Sequence, residues 1–216
     1  MTRIVLIDDH DLVRAGIRRL LGDVCGTNVV AEGASGEEAI ELVREHQPDV
    51  VFMDIRMPGM GGLEATSRIL TMRPETIVIG LSAFNDDLYP SKLLRVGAKG
   101  YITKSADAEE VKTALKMVLS GQRYVSPDIA QQMAVGRLSG PVDESPLTQL
   151  SERELQICQM ITSGHRANEV AAILMISPKT INTHKYRIYE KLGVTNDVEL
   201  TLAAVKYGLV DPTETL

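Results

Sequence analysis

In the first half of the chain, five residues that could act together on a phosphoryl group stand at the ends of short β-branched segments. They are Asp8 and Asp9 after Ile4–Ile7, Asp54 after Val50–Met53, Ser82 after Ile77–Leu81, and Lys104 after Tyr101–Thr103. Because ligands of open parallel sheets bind outside the carboxyl ends of the strands, we expect these side chains to meet at one edge. Clustered carboxylates repel one another, and a hard cation with a preference for oxygen ligands relieves that repulsion. The pattern predicts an acidic pocket that binds Mg²⁺.

Such a pocket suits the transfer of a phosphoryl group to a carboxylate. With a metal ion beside it, Asp54 can act as a nucleophile and carry the group as an acyl phosphate. Lys104 would pair with the new dianion as a point charge, and the Ser82 hydroxyl would donate a hydrogen bond to a phosphoryl oxygen. A phosphatase of the Asp-x-Asp kind is disfavoured, because Arg56 stands where its second acid would be. The sequence lacks a glycine-rich loop followed by Lys-Ser or Lys-Thr, so nucleotide binding is not indicated.

A segment with a different chemistry, 177–191, lies in the second half of the chain. It carries four basic residues against one acidic residue, a local charge of +3, whereas residues 148–216 together carry 7 basic and 8 acidic residues. Helical spacing predicts an inward face made of Ile181, His184, Ile188 and Leu192. The rest of the helix mixes amide, hydroxyl and phenol groups with cations, which suits contacts to base edges and phosphates. The residues predicted to contact DNA are Lys179, Thr180, Asn182, Thr183, Lys185, Tyr186 and Arg187.

The elements that must position these residues follow from periodicity. Over residues 1 to about 120, five β-branched segments alternate with stretches of helical spacing, which predicts βαβ units. The expected fold is an α/β domain with a five-stranded, doubly wound parallel sheet of the flavodoxin-like type. Ser35 and Glu38 have the spacing of a helix capping box, and Gly97 and Gly121 stand where helices should end.

After Gly121 the alternation stops. Ser126-Pro127 is typical of a helix start, and residues 139–146 are rich in glycine, proline and acids, as in a linker. Four short helical segments follow, at about 152–162, 167–175, 177–191 and 197–207, and the turn Met175-Ile176-Ser177 makes the second and third a helix-turn-helix. We therefore predict a first domain over 1–121, a linker helix and flexible linker over 122–147, and a small all-α four-helix domain over 148–211.

Composition excludes several classes of protein. Of the 216 residues, 44% are hydrophobic, which is too many for a disordered chain, and the net charge of −6 excludes a generally basic nucleic-acid coat. Cys25 and Cys158 have no metal-ligand spacing. Since no apolar run approaches the roughly 18 residues of a membrane span, we expect a cytoplasmic protein without membrane association.

Four motifs of the first half resemble the receiver domain of two-component response regulators. They are Ile7-Asp8-Asp9-His10, the stretch 54–59, Leu81-Ser82-Ala83 and the stretch 100–104. The resemblance implies that Asp54 is the phosphoacceptor, and that Ser82 and Tyr101 form a switch pair that shifts the domain between two conformations. It also implies an acidic pocket with Mg²⁺ ligands, namely Asp8, Asp9, Asp54 and the backbone carbonyl of Arg56. Many receivers have proline after the lysine, but here Ser105 follows Lys104.

The second half resembles the LuxR-type DNA-binding domain. The matching stretches are 150–154, 169–171, 177–184 and 191–194. With the receiver, this is the pattern of the NarL/FixJ family, and the stretches 9–14, 121–127 and 177–183 resemble its GacA/UvrY branch, from whose usual motif Lys185 departs.

The family resemblance implies a transcription regulator rather than an enzyme. Its partners would be a hybrid sensor histidine kinase that donates through a phosphotransfer domain, double-stranded promoter DNA, and a second copy of the chain once phosphorylated. Transcription would be activated, including that of small regulatory RNA genes. For the dimer contact we predict the last helix, which has apolar residues beyond one core stripe, among them Val198, Leu202 and Val205.

Two other functions fit parts of the sequence. The receiver-like half could act through protein contacts alone, with the helical half as an interaction module. The carboxylate pocket could instead belong to an enzyme that turns over phosphate compounds. DNA binding that depends on Lys179 and Asn182 would exclude the first, and repeated turnover that depends on Asp54 would favour the second.

Overall fold

The structure is a computed structural model that describes residues 1–57, 59–82, 89–138, 146–174, 176–207 and 209–210. The chain divides into two compact units, Met1–Gly136 and Arg137–Leu216. Some residues of the predicted motifs lie outside the described residues, namely Pro58, Ala83, Met175 and the linker stretch 139–145.

In the first unit, strands and helices alternate along the chain. The strands are β1 Thr2–Ile7, β2 Thr27–Gly33, β3 Val50–Asp54, β4 Ile77–Ser82, β5 Gly100–Thr103 and β6 Tyr124–Val125. The helices that begin in this unit are α1 Asp11–Gly22, α2 Gly36–His46, α3 Gly62–Met72, α4 Tyr89–Val96, α5 Ala108–Leu119 and α6 Pro127–Leu138. The strands form one parallel sheet in the order β2-β1-β3-β4-β5-β6. The predicted doubly wound parallel α/β fold is therefore confirmed.

The sheet has six strands among the described residues, one more than the sequence predicts. The additional strand, β6, contains two residues and pairs with β5 through Tyr124 opposite Gly100 and Val125 opposite Tyr101. Backbone hydrogen bonds of 2.9 Å from Tyr124 N to the Lys99 carbonyl and from Ser126 N to the Tyr101 carbonyl flank this pairing. A strand of two residues is too short to show an alternating pattern, which is why periodicity missed it.

The predicted helix signals of the first unit form, except that the second bond of the Ser35 capping box comes from Ala34 N and not from Ser35 N. Ser35 Oγ accepts a hydrogen bond from Glu38 N at 3.2 Å, and Glu38 Oε2 accepts one from Ala34 N at 2.8 Å. Gly97 and Gly121 adopt positive φ angles of 121° and 83° after α4 and α5. This backbone conformation is open to glycine without steric cost, so both positions end their helices as predicted.

Among its described residues, the second unit consists of helices joined by turns and short loops. A 3₁₀ turn at Pro146–Gln149 precedes α7 Glu152–Thr162, α8 Ala167–Ile173, α9 Pro178–Leu192 and α10 Asp197–Lys206. Its core consists of side chains with little or no exposure, among them Leu155, Val170, Ile181, Ile188 and Leu200. These helices confirm the all-α prediction. In the part of the chain that the structure describes, no helix has both the length and the apolar character needed to cross a membrane.

Candidate functional site: a carboxylate pocket and an exposed helix face

The predicted acidic pocket forms at the carboxyl edge of the sheet. Asp8 follows β1, Asp54 ends β3 and Lys104 follows β5. The Lys104 Nζ atom lies 2.7 Å from Asp54 Oδ2 and 2.9 Å from Asp8 Oδ2. Both carboxylates are buried, with exposed fractions of 0% for Asp8 and 1% for Asp54. One lysine therefore bridges two buried carboxylates that come from different strands.

The charges of the pocket depend on one another. Burial raises the pKa of Asp54, since it penalises the charged carboxylate, while the hydrogen bond from Lys104 opposes that rise. Burial alone would lower the pKa of Lys104, but its hydrogen bond to Asp54 and its ion pair with Asp8 outweigh that effect and raise the pKa. Lys104 therefore stays protonated at neutral pH and provides the positive charge that the carboxylates require.

The oxygen atoms of the pocket fit a hard divalent cation. Asp8, Asp9, His10 and Asp54 each offer one ligand atom, and these atoms all lie within 4.8 Å of one another. Among the residues described, the buried atoms Asp8 Oδ2 and Asp9 Oδ1 accept no hydrogen bond of good geometry, although Lys104 Nζ and His10 Nδ1 lie near them. Buried carboxylate oxygens that still have free lone pairs are suitable ligands for Mg²⁺. The cluster could therefore bind a metal ion.

Arg14 supports the loop that carries two of these acids, and sequence reasoning missed it. Its guanidinium donates to the Asp8 carbonyl at 2.6 Å and to Asp11 Oδ1 at 2.5 Å. Its Nε atom also lies 3.6 Å from Glu32 Oε2 on β2. These contacts tie the loop between β1 and α1 to the neighbouring strand. The available signal was the position of Arg14 one turn into a helix that starts beside the two acids.

Ser82 and Tyr101, the predicted switch pair, lie on the neighbouring strands β4 and β5. Both are buried, with exposed fractions of 2% for Ser82 and 0% for Tyr101. The Ser82 carbonyl accepts a 2.7 Å hydrogen bond from Lys104 N, which brings the ends of the two strands together. Arg56 N donates to Asp54 Oδ1 at 3.2 Å, so Arg56 adjoins the same carboxylate.

The predicted faces of α9 are largely as expected. Ile181 and Ile188 are fully buried, whereas His184 and Leu192 are half-buried. Ser177 caps the helix, since its Oγ accepts a hydrogen bond from Thr180 N at 3.1 Å. Six of the residues predicted to contact DNA have exposed side chains, namely Lys179, Thr180, Asn182, Thr183, Tyr186 and Arg187.

Lys185 differs from the other residues of that prediction. Its side chain is only 20% exposed, and its Nζ atom donates to Asp197 Oδ2 at 2.8 Å. The Tyr189 hydroxyl donates to the other oxygen of the same carboxylate at 2.5 Å. Lys185 is thus paired within the second unit, toward the first turn of α10.

A buried acid anchors α9 to α7. Glu154 is 3% exposed, and its Oε2 atom accepts hydrogen bonds from Lys191 Nζ at 2.6 Å and from Ser151 N at 2.8 Å. Ser151 and Glu154 form a reciprocal capping box at the start of α7, whereas nothing in the sequence indicated the contact with Lys191. Burial opposes ionisation of Glu154, yet the bonds from Lys191 and Ser151 outweigh it and lower the pKa.

The lowered pKa of Glu154 predicts that low pH destabilises the second unit. A carboxyl whose pKa is lower in the folded chain than in the unfolded chain stabilises the folded state. The full effect is present at pH values above the pKa in the unfolded chain, about 4.3, and it is lost as the pH falls through the pKa in the folded chain. At pH 7, Glu154→Gln should lower the free energy of unfolding by about 1–2 kcal/mol, because it removes the ion pair with Lys191 and leaves the capping bond from Ser151 N to a neutral amide oxygen.

Urea unfolding of the full chain, followed by circular dichroism, measures this difference. The difference in free energy of unfolding between wild type and Glu154→Gln should disappear as the pH falls below about 4. Glu190→Gln, an exposed acid on α9, is the matched control and should unfold like wild type. A gap that stayed constant with pH would contradict the role of the ionised carboxylate.

Comparison with known proteins assigns both halves of the chain. The model of the response regulator receiver domain matches residues 4–116, and that of the luxR family of bacterial regulatory proteins matches residues 148–204. The chain belongs to the response regulators of the NarL/FixJ family. It is a DNA-binding transcriptional regulator of a two-component system, and members of this family are not normally enzymes.

Relatives of full length place the chain in the GacA/UvrY branch. It is 47% identical to the response regulator GacA of Pseudomonas aeruginosa over 211 residues. This match covers 98% of this chain and 99% of GacA. It is also 47% identical over 209 residues to the response regulator UvrY of Escherichia coli, which covers 97% and 96% of the two chains. These matches confirm the resemblance found in the sequence motifs.

A solved structure resembles the chain over most of its length. This is RcsB from Salmonella enterica serovar Typhimurium, bound to the promoter rprA in the presence of the phosphomimetic BeF3⁻. The match has a TM-score of 0.65 and 25% identity, and it covers 94% of this chain and 98% of that one.

Proposed function

We propose that phosphorylation of Asp54 controls the dimerisation and the promoter binding of this regulator. The observation that carries the proposal is the bridge from Lys104 to Asp54 and Asp8 at the carboxyl edge of the sheet. A carboxylate at 1% exposure has little structural reason to occupy this place unless its chemistry is used. The proposed phosphoryl donor is a sensor histidine kinase of the hybrid type that acts through a phosphotransfer domain, as the sequence resemblance to the GacA/UvrY branch implies.

In the proposed reaction, an Asp54 oxygen attacks the phosphorus of a phosphohistidine. The new P–O bond forms as the P–N bond breaks, and the imidazole leaves with its electron pair and takes a proton from water. Lys104 exchanges its contact with the Asp54 carboxylate for one with a phosphoryl oxygen. Mg²⁺, bound by Asp8, Asp9, Asp54 and the Arg56 carbonyl, would neutralise charge on the phosphoryl oxygens.

The signal leaves the pocket through the switch pair. The Ser82 hydroxyl is proposed to donate to a phosphoryl oxygen, which would shift the end of β4 toward Asp54. Tyr101 lies on the adjacent strand and is fully buried, so it can repack only if its neighbours move. Phosphorylation would then change the relative populations of two receiver conformations.

The exposed face of α9 is the proposed DNA-contact surface. Asn182 can form a bidentate pair with adenine, Thr183 can contact a thymine methyl, and Lys179 and Arg187 can bind phosphates. Thr180 and Tyr186 lie on the same exposed part of the helix. Solved structures of RcsB with DNA, 25% identical to this chain, support this assignment.

Exposed apolar side chains on α10 support a homodimer of the phosphorylated protein. Val198, Leu202 and Val205 are 70%, 65% and 38% exposed. Two copies joined there would present two recognition helices to two half-sites. Transcription would be activated, including that of small regulatory RNA genes, as the sequence resemblance to the GacA/UvrY branch implies. The protein acts in the cytoplasm, because its DNA target lies there.

Binding to promoter DNA tests the proposed surface. The double variant Lys179→Ala with Asn182→Ala should weaken binding about 30-fold or more, because it removes one phosphate contact and one base contact worth about 1–3 kcal/mol. Fluorescence anisotropy with labelled promoter fragments measures the affinity. Lys206→Ala, which removes an exposed cation outside α9, is the control and should lose less than threefold.

The same assays separate the two alternatives. Unchanged DNA affinity in the double variant, together with intact phosphorylation, would favour a regulator that acts through protein contacts. Repeated turnover of a phosphoester, abolished by Asp54→Ala, would favour an enzyme.

A further inference from the structure

Within the part of the chain that the structure describes, Lys185 is the one predicted DNA contact whose charge is neutralised by a partner on another helix. Its Nζ atom donates to Asp197 Oδ2 at 2.8 Å, and its side chain is 20% exposed. Lys179 and Arg187 on the same helix are exposed. The difference follows from position, because Lys185 lies on the side of α9 that faces the first turn of α10.

A second hydrogen bond fixes the carboxylate that holds Lys185. The Tyr189 hydroxyl donates to Asp197 Oδ1 at 2.5 Å, so both oxygens of Asp197 are engaged by side chains of α9. The Lys185 Nζ atom also lies 5.7 Å from the centre of the Tyr189 ring, within range of a cation–π contact. Burial opposes ionisation of Asp197, but the bonds from Lys185 and Tyr189 lower its pKa, so the carboxylate is charged at neutral pH.

We infer that Asp197 is a specificity-determining residue that holds Lys185 away from DNA phosphates. The inference rests on the proposed role of α9 in DNA binding. Phosphates are the same in every DNA sequence, so a lysine that binds them strengthens operator and non-operator DNA alike. With Lys185 engaged, a larger share of the binding energy comes from base-edge contacts such as that of Asn182.

Binding to DNA of scrambled sequence tests the inference. Asp197→Ala releases Lys185, and it should raise the affinity for a labelled scrambled duplex about 3- to 10-fold at low salt. The plot of log affinity against log salt concentration should steepen by about 0.9, the value for one additional phosphate contact. Lys185→Met alone should have the same slope as the wild type. When Lys185→Met is combined with Asp197→Ala, the slope should return to the wild-type value.

Glu199→Ala is the matched control for charge. Glu199 lies in the same first turn of α10, and its Oε2 atom accepts bonds from Thr195 N at 2.7 Å and Thr195 Oγ1 at 2.9 Å. Its removal changes the net charge of the turn equally without releasing a lysine. An equal rise in affinity for Glu199→Ala and Asp197→Ala would show a general charge effect and overturn the inference.

Two further results have distinct meanings. A slope that falls by about 0.9 in Lys185→Met would show that Lys185 contacts a phosphate in the wild type, which also overturns the inference. If the wild type itself shows no salt-dependent DNA binding, the proposed role of α9 fails, and the inference fails with it.

Discussion

Asp54→Asn is expected to abolish phosphorylation of the protein. With acetyl phosphate or phosphoramidate as donor and Mg²⁺ present, the wild type should gain one phosphoryl group, detected by intact mass spectrometry, and the variant none. The amide nitrogen of asparagine cannot replace the anionic oxygen that attacks phosphorus. Chelation of the metal should suppress labelling of the wild type, because the charge on the phosphoryl oxygens would then be left to Lys104 alone.

The loss in Asp54→Asn should not come from unfolding. The buried carboxylates of Asp54 and Asp8 repel each other, and burial raises the pKa of Asp54, so a neutral side chain relieves both costs. We expect the thermal midpoint of the variant to equal or exceed that of the wild type. Asp23→Asn changes an exposed aspartate at the end of α1 and should leave labelling unchanged.

The DNA-binding consequence follows from the same substitution. Wild type treated with donor should bind promoter DNA more tightly than untreated protein, whereas Asp54→Asn should show no difference between the two conditions. A phosphoryl group located on another residue of the wild type, or none at all with Mg²⁺ present, would overturn the proposed function.

The sequence predicts the pocket well because strand ends determine it. In a parallel sheet, a residue that follows a buried β-branched segment must lie at the carboxyl edge, so the meeting of Asp8, Asp54 and Lys104 follows from topology alone. The buried side of α9 was predictable for a similar reason, since helical periodicity places Ile181 and Ile188 on one face.

What the sequence could not predict depends on contacts between distant residues. Lys191 and Glu154 are separated by 37 positions, and only packing of α7 against α9 brings them together. In the sequence, Lys185 looks like the other basic residues predicted to contact DNA. Only the packing of α10 beside α9 shows that Lys185 is paired with Asp197. The two residues of β6 have no periodicity of their own and pair because the backbone of β5 is available.

Gly62→Ala is expected to be the most destabilising single-methyl addition at this site. Gly62 is the first residue of α3, and a Cβ atom there would lie 2.0 Å from the Asp54 carbonyl oxygen and 2.9 Å from Ile55 Cα. Both neighbours are backbone atoms, which cannot rotate away as a side chain does. Gly62 N also donates to the Ile55 carbonyl at 3.0 Å, so the two segments cannot separate without losing that bond. The cost in free energy of unfolding should reach about 3 kcal/mol or more.

The displaced backbone is that of the proposed phosphoacceptor, so Gly62→Ala should also slow phosphorylation at temperatures where the variant remains folded. Gly16→Ala is the matched control, because a Cβ at this exposed position within α1 meets no atom within 4 Å. It should raise stability by about 0.5–1 kcal/mol and leave labelling unchanged. Thermal unfolding and a labelling time course of both variants measure these effects. A Gly62→Ala variant that melts and labels like the wild type would show that α3 can shift away from Asp54 at no cost, against the close packing from which the position of the carboxylate is argued.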